Sequence, residues 1–125
     1  MTHTPSLTCT RKNDSFTWQN VRGNQKLLYP VGLLTSDEIM LSGGTSTTYN
    51  VTYYLSSGGT KFWTMSPYGY FNNTSNVFYS FKGQPFRNAA SGSSGLRPSI
   101  SLKNGTIIVD NDADGTVTNP YIIAN

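Results

Sequence analysis

A single short stretch of this chain has the pattern of a helix, and the sequence marks both of its ends. Thr35 stands three residues before Glu38, the spacing of a capping box, in which the Thr hydroxyl and the Glu carboxylate each accept a backbone N–H. An apolar run over 39–41 follows, and two glycines end it. These signals predict a helix over about 36–42. Because a helix of two turns is not stable alone, we expect it to pack on a sheet.

The rest of the chain is typical of short strands separated by turns. Ser, Thr and Asn make up 43 of the 125 residues, and their side chains compete with the helix backbone for hydrogen bonds. Strands are predicted at 14–18, 49–55, 61–66 with an end at Pro67, 76–81, 96–102 and 106–109. Turns are predicted at 56–59, at 72–75 and at 104–105, where a hairpin joins the last two strands, and 83–95 is predicted to be a long surface loop. The predicted fold class is α+β, mostly antiparallel β, in one domain spanning 1–125.

Charge, apolar runs and cysteine content exclude several classes of function. The net charge is +3, but the basic residues are scattered with no run of three, so a nucleic acid is not expected as a partner. Apolar runs reach only about four residues, so membrane insertion is not expected, and the N-terminus has no apolar signal segment. One Cys, Cys9, and one His, His3, cannot supply an internal disulfide framework, a Cys-rich zinc site or a Ser-His-Asp triad.

An acidic segment near the C-terminus is the candidate metal site. Asp110, Asp112 and Asp114, followed by Gly115, fit the first half of a calcium loop. Tyr121 stands where that loop needs a bidentate Glu. A solvent-exposed loop rich in turn formers is the other interpretation, and any calcium binding is expected to be weak. No other cofactor is expected.

Several short motifs, taken in order, resemble a known family. They are Thr8-Cys9, Lys12–Thr17, Tyr29–Glu38, Gly43-Gly44, Phe62–Pro67, Gly95–Leu102 and Asn119–Ile123. Together they resemble the C-type-lectin-like domain of surface and prophage proteins of Gram-positive bacteria. That domain is related to formylglycine-generating enzymes and to the variable proteins of diversity-generating retroelements. The resemblance covers about 8–123 and implies a C-type-lectin-like core.

The chain departs from this family at its N-terminal side. The family domain has an upstream half with helices and often another Cys, so the resemblance implies a chain that begins near the middle of the domain. It leaves open whether Cys9 pairs with a cysteine outside this chain. A small buried apolar residue is the other interpretation of Cys9.

The segment from Tyr68 to Arg87 is the strongest candidate for a binding surface. Tyr and Asn, with Ser and Gly, give it the composition of an antibody-like paratope, in which rigid rings stand beside adaptable amides. Aromatic faces stack on sugar rings and amides bind hydroxyl groups, so a glycan is a chemically reasonable ligand. The predicted ligand-binding residues, in an exposed stretch over 66–95, are Tyr68, Tyr70, Phe71, Asn72, Asn73 and Arg87. A solvated loop whose Tyr side chains pack locally is the other interpretation.

Two residues near this segment are predicted to be structural. Trp63 is expected in the core, because large aromatic side chains dominate core burial. Arg97 is expected to anchor a loop by donating to backbone carbonyls in several directions.

These observations favour a non-catalytic ligand-recognition domain over an enzyme. The expected role is adhesion or receptor binding at a bacterial cell surface or on a phage particle, as part of a longer extracellular protein that binds a glycan or a protein. A structural or assembly module is the alternative. An enzyme of the formylglycine-generating type is disfavoured, because one Cys cannot supply two thiolates for a copper site. The oligomeric state stays open.

Overall fold

Two antiparallel sheets and one short helix make up the described part of the protein. The computed structural model describes residues 4–8, 28–29, 31–50, 55, 59–109, 112–114, 116 and 118–124. In chain order the elements are β1 (Val31–Leu33), α1 (Ser36–Leu41), β2 (Phe62–Phe71), β3 (Thr74–Phe81), β4 (Gln84–Ala89) and β5 (Pro98–Ile100). The architecture is α+β, mostly antiparallel β with one short helix, as the sequence predicts.

The helix lies where the sequence places it. Thr35 Oγ1 accepts the Glu38 N–H at 3.1 Å, and the Glu38 carboxylate accepts the Thr35 N–H at 2.7 Å, so the predicted capping box is present. Gly43, with φ at 111°, ends the helix in a conformation that favours glycine. The signals that define α1 are therefore all local in sequence.

The larger sheet is a meander with strand order β2-β3-β4. Both connections are two-residue turns whose residues have positive φ: Asn72 at 50° and Asn73 at 56°, then Lys82 at 51° and Gly83 at 72°. Turns of this kind match the right-handed twist of paired strands. The turn predicted at 72–75 is therefore present, shortened to its first two residues.

Two boundaries predicted for this sheet are wrong. The segment 83–95 is not a long loop, because β4 occupies Gln84–Ala89. The two-residue turn before β4 lacks the Asn or Asp that usually marks a hairpin turn in a sequence. Strand β2 does not end at Pro67 but continues to Phe71. Pro67 lies between two shifts of the β2–β3 register, and an irregular position of this kind tolerates a residue without an N–H.

A buried hydroxyl group bridges the irregular part of β2. The register against β3 shifts between Trp63 and Pro67. Within this interval, Thr64 Oγ1 donates to the Phe78 carbonyl at 2.9 Å and accepts the Ser66 N–H at 3.2 Å. The side chain therefore supplies hydrogen bonds where the regular ladder is interrupted.

The smaller sheet consists of β1 and β5, which pair antiparallel with Val31 opposite Ile100. It joins the larger sheet through the Met65 N–H, which donates to the Leu34 carbonyl at 2.9 Å. Strand β5 coincides with the centre of the strand predicted over 96–102.

The hairpin predicted around residues 104–105 is only half correct. The turn is present, because the Thr106 N–H donates to the Lys103 carbonyl at 3.0 Å. The predicted pairing of 106–109 with 96–102 is wrong: Ile108 forms an antiparallel bridge with Ile123. The segment after the turn thus bridges the C-terminal segment without forming a strand, while β5 pairs with β1.

The core lies where α1 meets β2 and β3. Ile39 of the helix and Phe62 of β2 are buried. Gly95 lies beside Phe62, and its carbonyl accepts the Trp63 N–H at 2.9 Å. The segment after β4 therefore returns to the free edge of β2.

Some predictions lie outside the described residues. These are the environment of Cys9, the strand at 14–18, most of the strand at 49–55, and the position of Asp110.

Candidate functional site

The strand pairing assigns the predicted binding residues to faces of the larger sheet. Phe78 of β3 pairs with Arg87 of β4, so their side chains share one face, which we call the groove face. Tyr79 pairs with Trp63 and Phe86 and lies on the opposite face, which we call the aromatic face. The candidate segment is thus a folded sheet with two tight turns rather than a loop held at its ends.

On the groove face, aromatic rings hold a single guanidinium group. The Arg87 guanidinium carbon lies 3.8 Å from the centroid of the Phe71 ring and 5.2 Å from that of Tyr68. Tyr68 in turn packs edge-on against Phe78, with centroids 5.2 Å apart and planes at 73°. Cation–π contacts of this kind are worth about 0.5–1 kcal/mol at exposed sites. Three of the predicted site residues therefore form one cluster.

A groove of about 340 Å³ adjoins this cluster, at the β2–β3 turn. Its size is at the lower end of the range of small-molecule sites. The residues that line it are Phe71, Asn72, Thr74, Asn76, Arg87, Asn88 and Ala89. Thr74, Asn76 and Asn88 were not among the predicted site residues. The period-2 alternation of β3 could have placed Thr74 and Asn76 on the groove face with Phe78. Asn88 pairs with Val77, one position away from Arg87, so alternation does not place it there.

The three amide side chains that line the groove differ in which donor or acceptor atom remains available to a ligand. Asn76 Nδ2 donates to the Thr74 carbonyl at 2.8 Å, which leaves its Oδ1 as an acceptor. Asn88 Oδ1 accepts the Ala89 N–H at 2.9 Å, which leaves its Nδ2 as a donor. The Asn72 side chain makes no hydrogen bond to another described residue. The residues that line the groove therefore carry both donor and acceptor groups.

The charges of the larger sheet and its turns have one sign. Between Glu38 and Asp110 the sequence has five basic residues and no acidic residue. All three strands of the larger sheet lie in this interval, so no carboxylate from the sheet can neutralise Arg87. Within the described part of the chain, the contacts of the Arg87 guanidinium are with rings.

The other predicted binding residues lie outside the groove. Tyr70 is 74% exposed and pairs with Ser75, one position away from Phe71 along the strand and hence on the opposite side of the sheet. Asn73 is exposed in the turn. The structure therefore brings together Tyr68, Phe71, Asn72 and Arg87, but not Tyr70 or Asn73.

Both residues predicted to be structural contact other rings. Trp63 is half-buried and lies edge-on to Tyr79, with centroids 6.2 Å apart and planes at 86°. The Arg97 guanidinium lies 4.7 Å from the centroid of the buried Phe62 ring. The anchoring contact that the structure describes for Arg97 is thus with a ring, where backbone carbonyls were expected.

The aromatic face carries ring contacts that the sequence did not reveal. Tyr79 stacks on Phe86 with centroids 5.6 Å apart, and Phe81 lies edge-on to Tyr49 at 5.8 Å. Lys82 Nζ lies 5.2 Å from the Phe81 centroid. Because Tyr79, Phe81 and Phe86 are half-buried, packing accounts for these rings.

The described part of the acidic segment holds its carboxylates in backbone turns. Asp114 Oδ1 accepts the Thr116 N–H at 2.9 Å. This bond, with a further one from the Thr116 side chain, lowers the pKa of Asp114. Asp112 lies nearby, and its carbonyl accepts from Asn119 Nδ2 at 3.0 Å. Among the described residues, no three His, Cys, Asp or Glu side chains gather as a metal site would require. Calcium binding at Asp110, Asp112 and Asp114 stays a prediction.

Comparison of the chain with known protein families, with curated proteins and with solved structures found no match. Within the described ranges, no helix has the length and apolar character needed to cross a membrane.

Proposed function

We propose that the protein is a non-catalytic recognition domain of a bacterial surface or phage protein, which binds a glycan or a protein through the groove at the β2–β3 turn. The observation that carries the proposal is the cluster of Arg87, Phe71 and Tyr68 beside the amides of Asn72 and Asn76. Rigid rings that fix a charged group, next to adaptable amides, are the elements of protein recognition surfaces.

The C-type-lectin-like core is part of the same proposal. It is supported by the way two of the motifs that resemble this family meet in space. The motif over 62–67 lies in β2, and the motif over 95–102 runs beside it: Gly95 bridges Phe62, and Arg97 covers the Phe62 ring. Two motifs far apart in sequence that contact each other fit a shared core better than an accidental similarity.

Alanine scanning against a bound ligand tests the proposed surface. The wild-type protein is screened on an array of glycans and surface proteins, and each hit is titrated with Tyr68→Ala, Phe71→Ala and Arg87→Ala. A residue central to binding should lose about thirtyfold in affinity or more. Lys82→Ala is the control. Lys82 lies at the opposite end of β3 from the groove, so this variant should bind the ligand with wild-type affinity. Normal binding by all three groove variants would refute the proposal.

One observation favours the alternative, an assembly module. The smaller sheet exposes aliphatic side chains on one face: Val31 is 49% exposed and its partner Ile100 is 65% exposed. Exposed apolar clusters mark interaction surfaces. Light scattering after size exclusion should then show concentration-dependent self-association that Val31→Ser with Ile100→Ser removes. A monomer at all concentrations would argue against self-assembly through this face.

A further inference from the structure

We propose that the ligand of the groove is an acidic saccharide, and that Arg87 binds its carboxylate through two parallel N–H···O bonds. The inference rests on the proposed recognition function and narrows the ligand class. It follows from how Arg87 is held, from the absence of a counter-charge in the sheet, and from what the rings leave accessible.

The guanidinium group of Arg87 lies against an aromatic ring. At 3.8 Å from the Phe71 centroid, it is in van der Waals contact with the ring. An Arg side chain stacked on a ring keeps its in-plane N–H donors available, and these donors match a carboxylate in a bidentate arrangement. Phe71 and Tyr68 therefore restrict the position of the guanidinium group before any ligand binds, which lowers the entropy cost of binding.

The charge of Arg87 is the second feature. An arginine side chain is a cation with five N–H donors and no acceptor. The chain has no acidic residue from 39 to 109, so β2, β3 and β4 supply no counter-ion. An anion from solution is the natural partner of a cation to which the described part of the chain gives ring contacts and no carboxylate.

The rings of Phe71 and Tyr68 are partly covered by their neighbours on the groove face. Arg87 covers a face of Phe71, and Tyr68 packs against both Arg87 and Phe78. A neutral sugar that stacked on Phe71 from the side of Arg87 would have to displace the guanidinium. The groove is better suited to a ligand whose acid group meets Arg87 while its hydroxyl groups meet the amides of Asn72 and Asn76.

The same features disfavour a polyanion such as a nucleic acid. Binding of a phosphate backbone uses several Lys and Arg side chains along one track. Among the described residues that line the groove, Arg87 is the one that carries a charge. A single fork fits one carboxylate on one sugar unit.

Calorimetric titration with matched saccharides tests the inference. The probes are a galacturonic acid trimer, its methyl ester, in which each carboxylate is neutral, and a sialylated and a phosphorylated trisaccharide. We expect at least one carboxylate sugar to bind, and conversion to the ester to weaken binding by about tenfold or more, the usual effect of a charge-assisted hydrogen bond. Arg87→Gln and Arg87→Lys should both lose this preference, since Lys keeps the charge without the fork.

Two controls keep the result specific. Lys82→Gln removes one positive charge at the other end of the sheet and should leave the affinity for the acid within twofold. Phe71→Leu keeps Arg87 but removes the ring beneath it, and should weaken binding of the acid more than binding of the ester. A two-dimensional amide NMR spectrum of each variant confirms its fold.

Several outcomes would overturn the inference. If acid and ester bind equally through the groove, the carboxylate does not contribute to binding and the inference fails. The proposed recognition function would still stand. Tighter binding of the phosphorylated sugar, or full affinity in Arg87→Lys, would show that binding depends on positive charge alone. The two parallel hydrogen bonds from the guanidinium group would then be excluded. If no saccharide binds and the groove variants also leave every protein hit unaffected, both the inference and the proposed function fail.

Discussion

At the scale of single residues, the buried hydroxyl of Thr64 stabilises the irregular part of β2. The residue is 3% exposed, and its Oγ1 bonds both the Phe78 carbonyl and the Ser66 N–H. Thr64→Val keeps the shape but leaves these two groups without partners, so it should lower the free energy of unfolding by about 1–3 kcal/mol in urea denaturation. Thr74→Val, whose hydroxyl bond is exposed, should change it by less than about 0.5 kcal/mol. Equal losses in the two variants would contradict this role.

The carboxylate of Asp114 gives the acidic segment a defined response to pH. Hydrogen bonds from the backbone and side chain of Thr116 lower its pKa in the folded protein. The unfolded chain therefore binds the proton more tightly. The stabilisation is complete above the unfolded pKa, about 3.9 for Asp, and is lost as the pH falls through the lower folded value.

A change at Thr116 tests this assignment. Thr116→Ala removes the side-chain bond and keeps the backbone bond, so the pKa of Asp114 should rise towards its ordinary value without reaching it. A carboxyl carbon NMR titration of both proteins measures the change. An unchanged pKa would show that the hydroxyl of Thr116 does not contribute.

At the scale of elements, the β2–β3 turn depends on residues that tolerate positive φ. Asn73 has φ at 56°, a conformation that costs most L-residues roughly 1–2 kcal/mol and glycine nothing. Asn73→Ala should therefore lower the free energy of unfolding, and Asn73→Gly should leave it unchanged or raise it, so that the two variants differ by about 1 kcal/mol. Chemical denaturation measures the difference. Equal stabilities would mean that the turn changes conformation to accept alanine.

The elements also show what local sequence can and cannot predict. Helix α1 was predictable because Thr35, Glu38 and Gly43 act within a few residues of one another. Strand β4 was missed because the Lys82–Gly83 turn lacks the usual residue in its first position, and Pro67 misled the prediction of β2 because a bulge accommodates it. The partner of each strand depends on pairing across the molecule, which is why the 106–109 strand was assigned to the wrong neighbour.

At the scale of the whole molecule, composition located the candidate site but not its arrangement. The Tyr and Asn content pointed to the segment that contains the groove, and four of the six predicted residues lie together there. The two that do not, Tyr70 and Asn73, are separated from them by strand alternation and by the turn. The role of the rings also differs from the expected one: Phe71 and Tyr68 hold Arg87, a contact that requires β4 to lie beside β3.

The two sheets should also differ in stability. Strand β3 is bonded on both sides and lies next to the buried Phe62 and Ile39, whereas β1 and β5 have three residues each and expose Val31 and Ile100. Two-stranded sheets are marginal in water, so the smaller sheet should open locally while the larger one stays intact.

Amide hydrogen exchange followed by NMR measures this difference directly. The hydrogen-bonded amides of β3 should exchange more slowly than those of β1 and β5, by on the order of a hundredfold. Exchange in β3 requires global unfolding, whereas exchange in β1 and β5 requires only local opening. Mild urea should speed up exchange in β3 and leave that in β1 and β5 nearly unchanged, since local opening exposes little surface. If all three strands exchange at one rate with one urea dependence, the sheets unfold as a single unit. The rigid frame behind the groove would then include β1 and β5 as well as the meander.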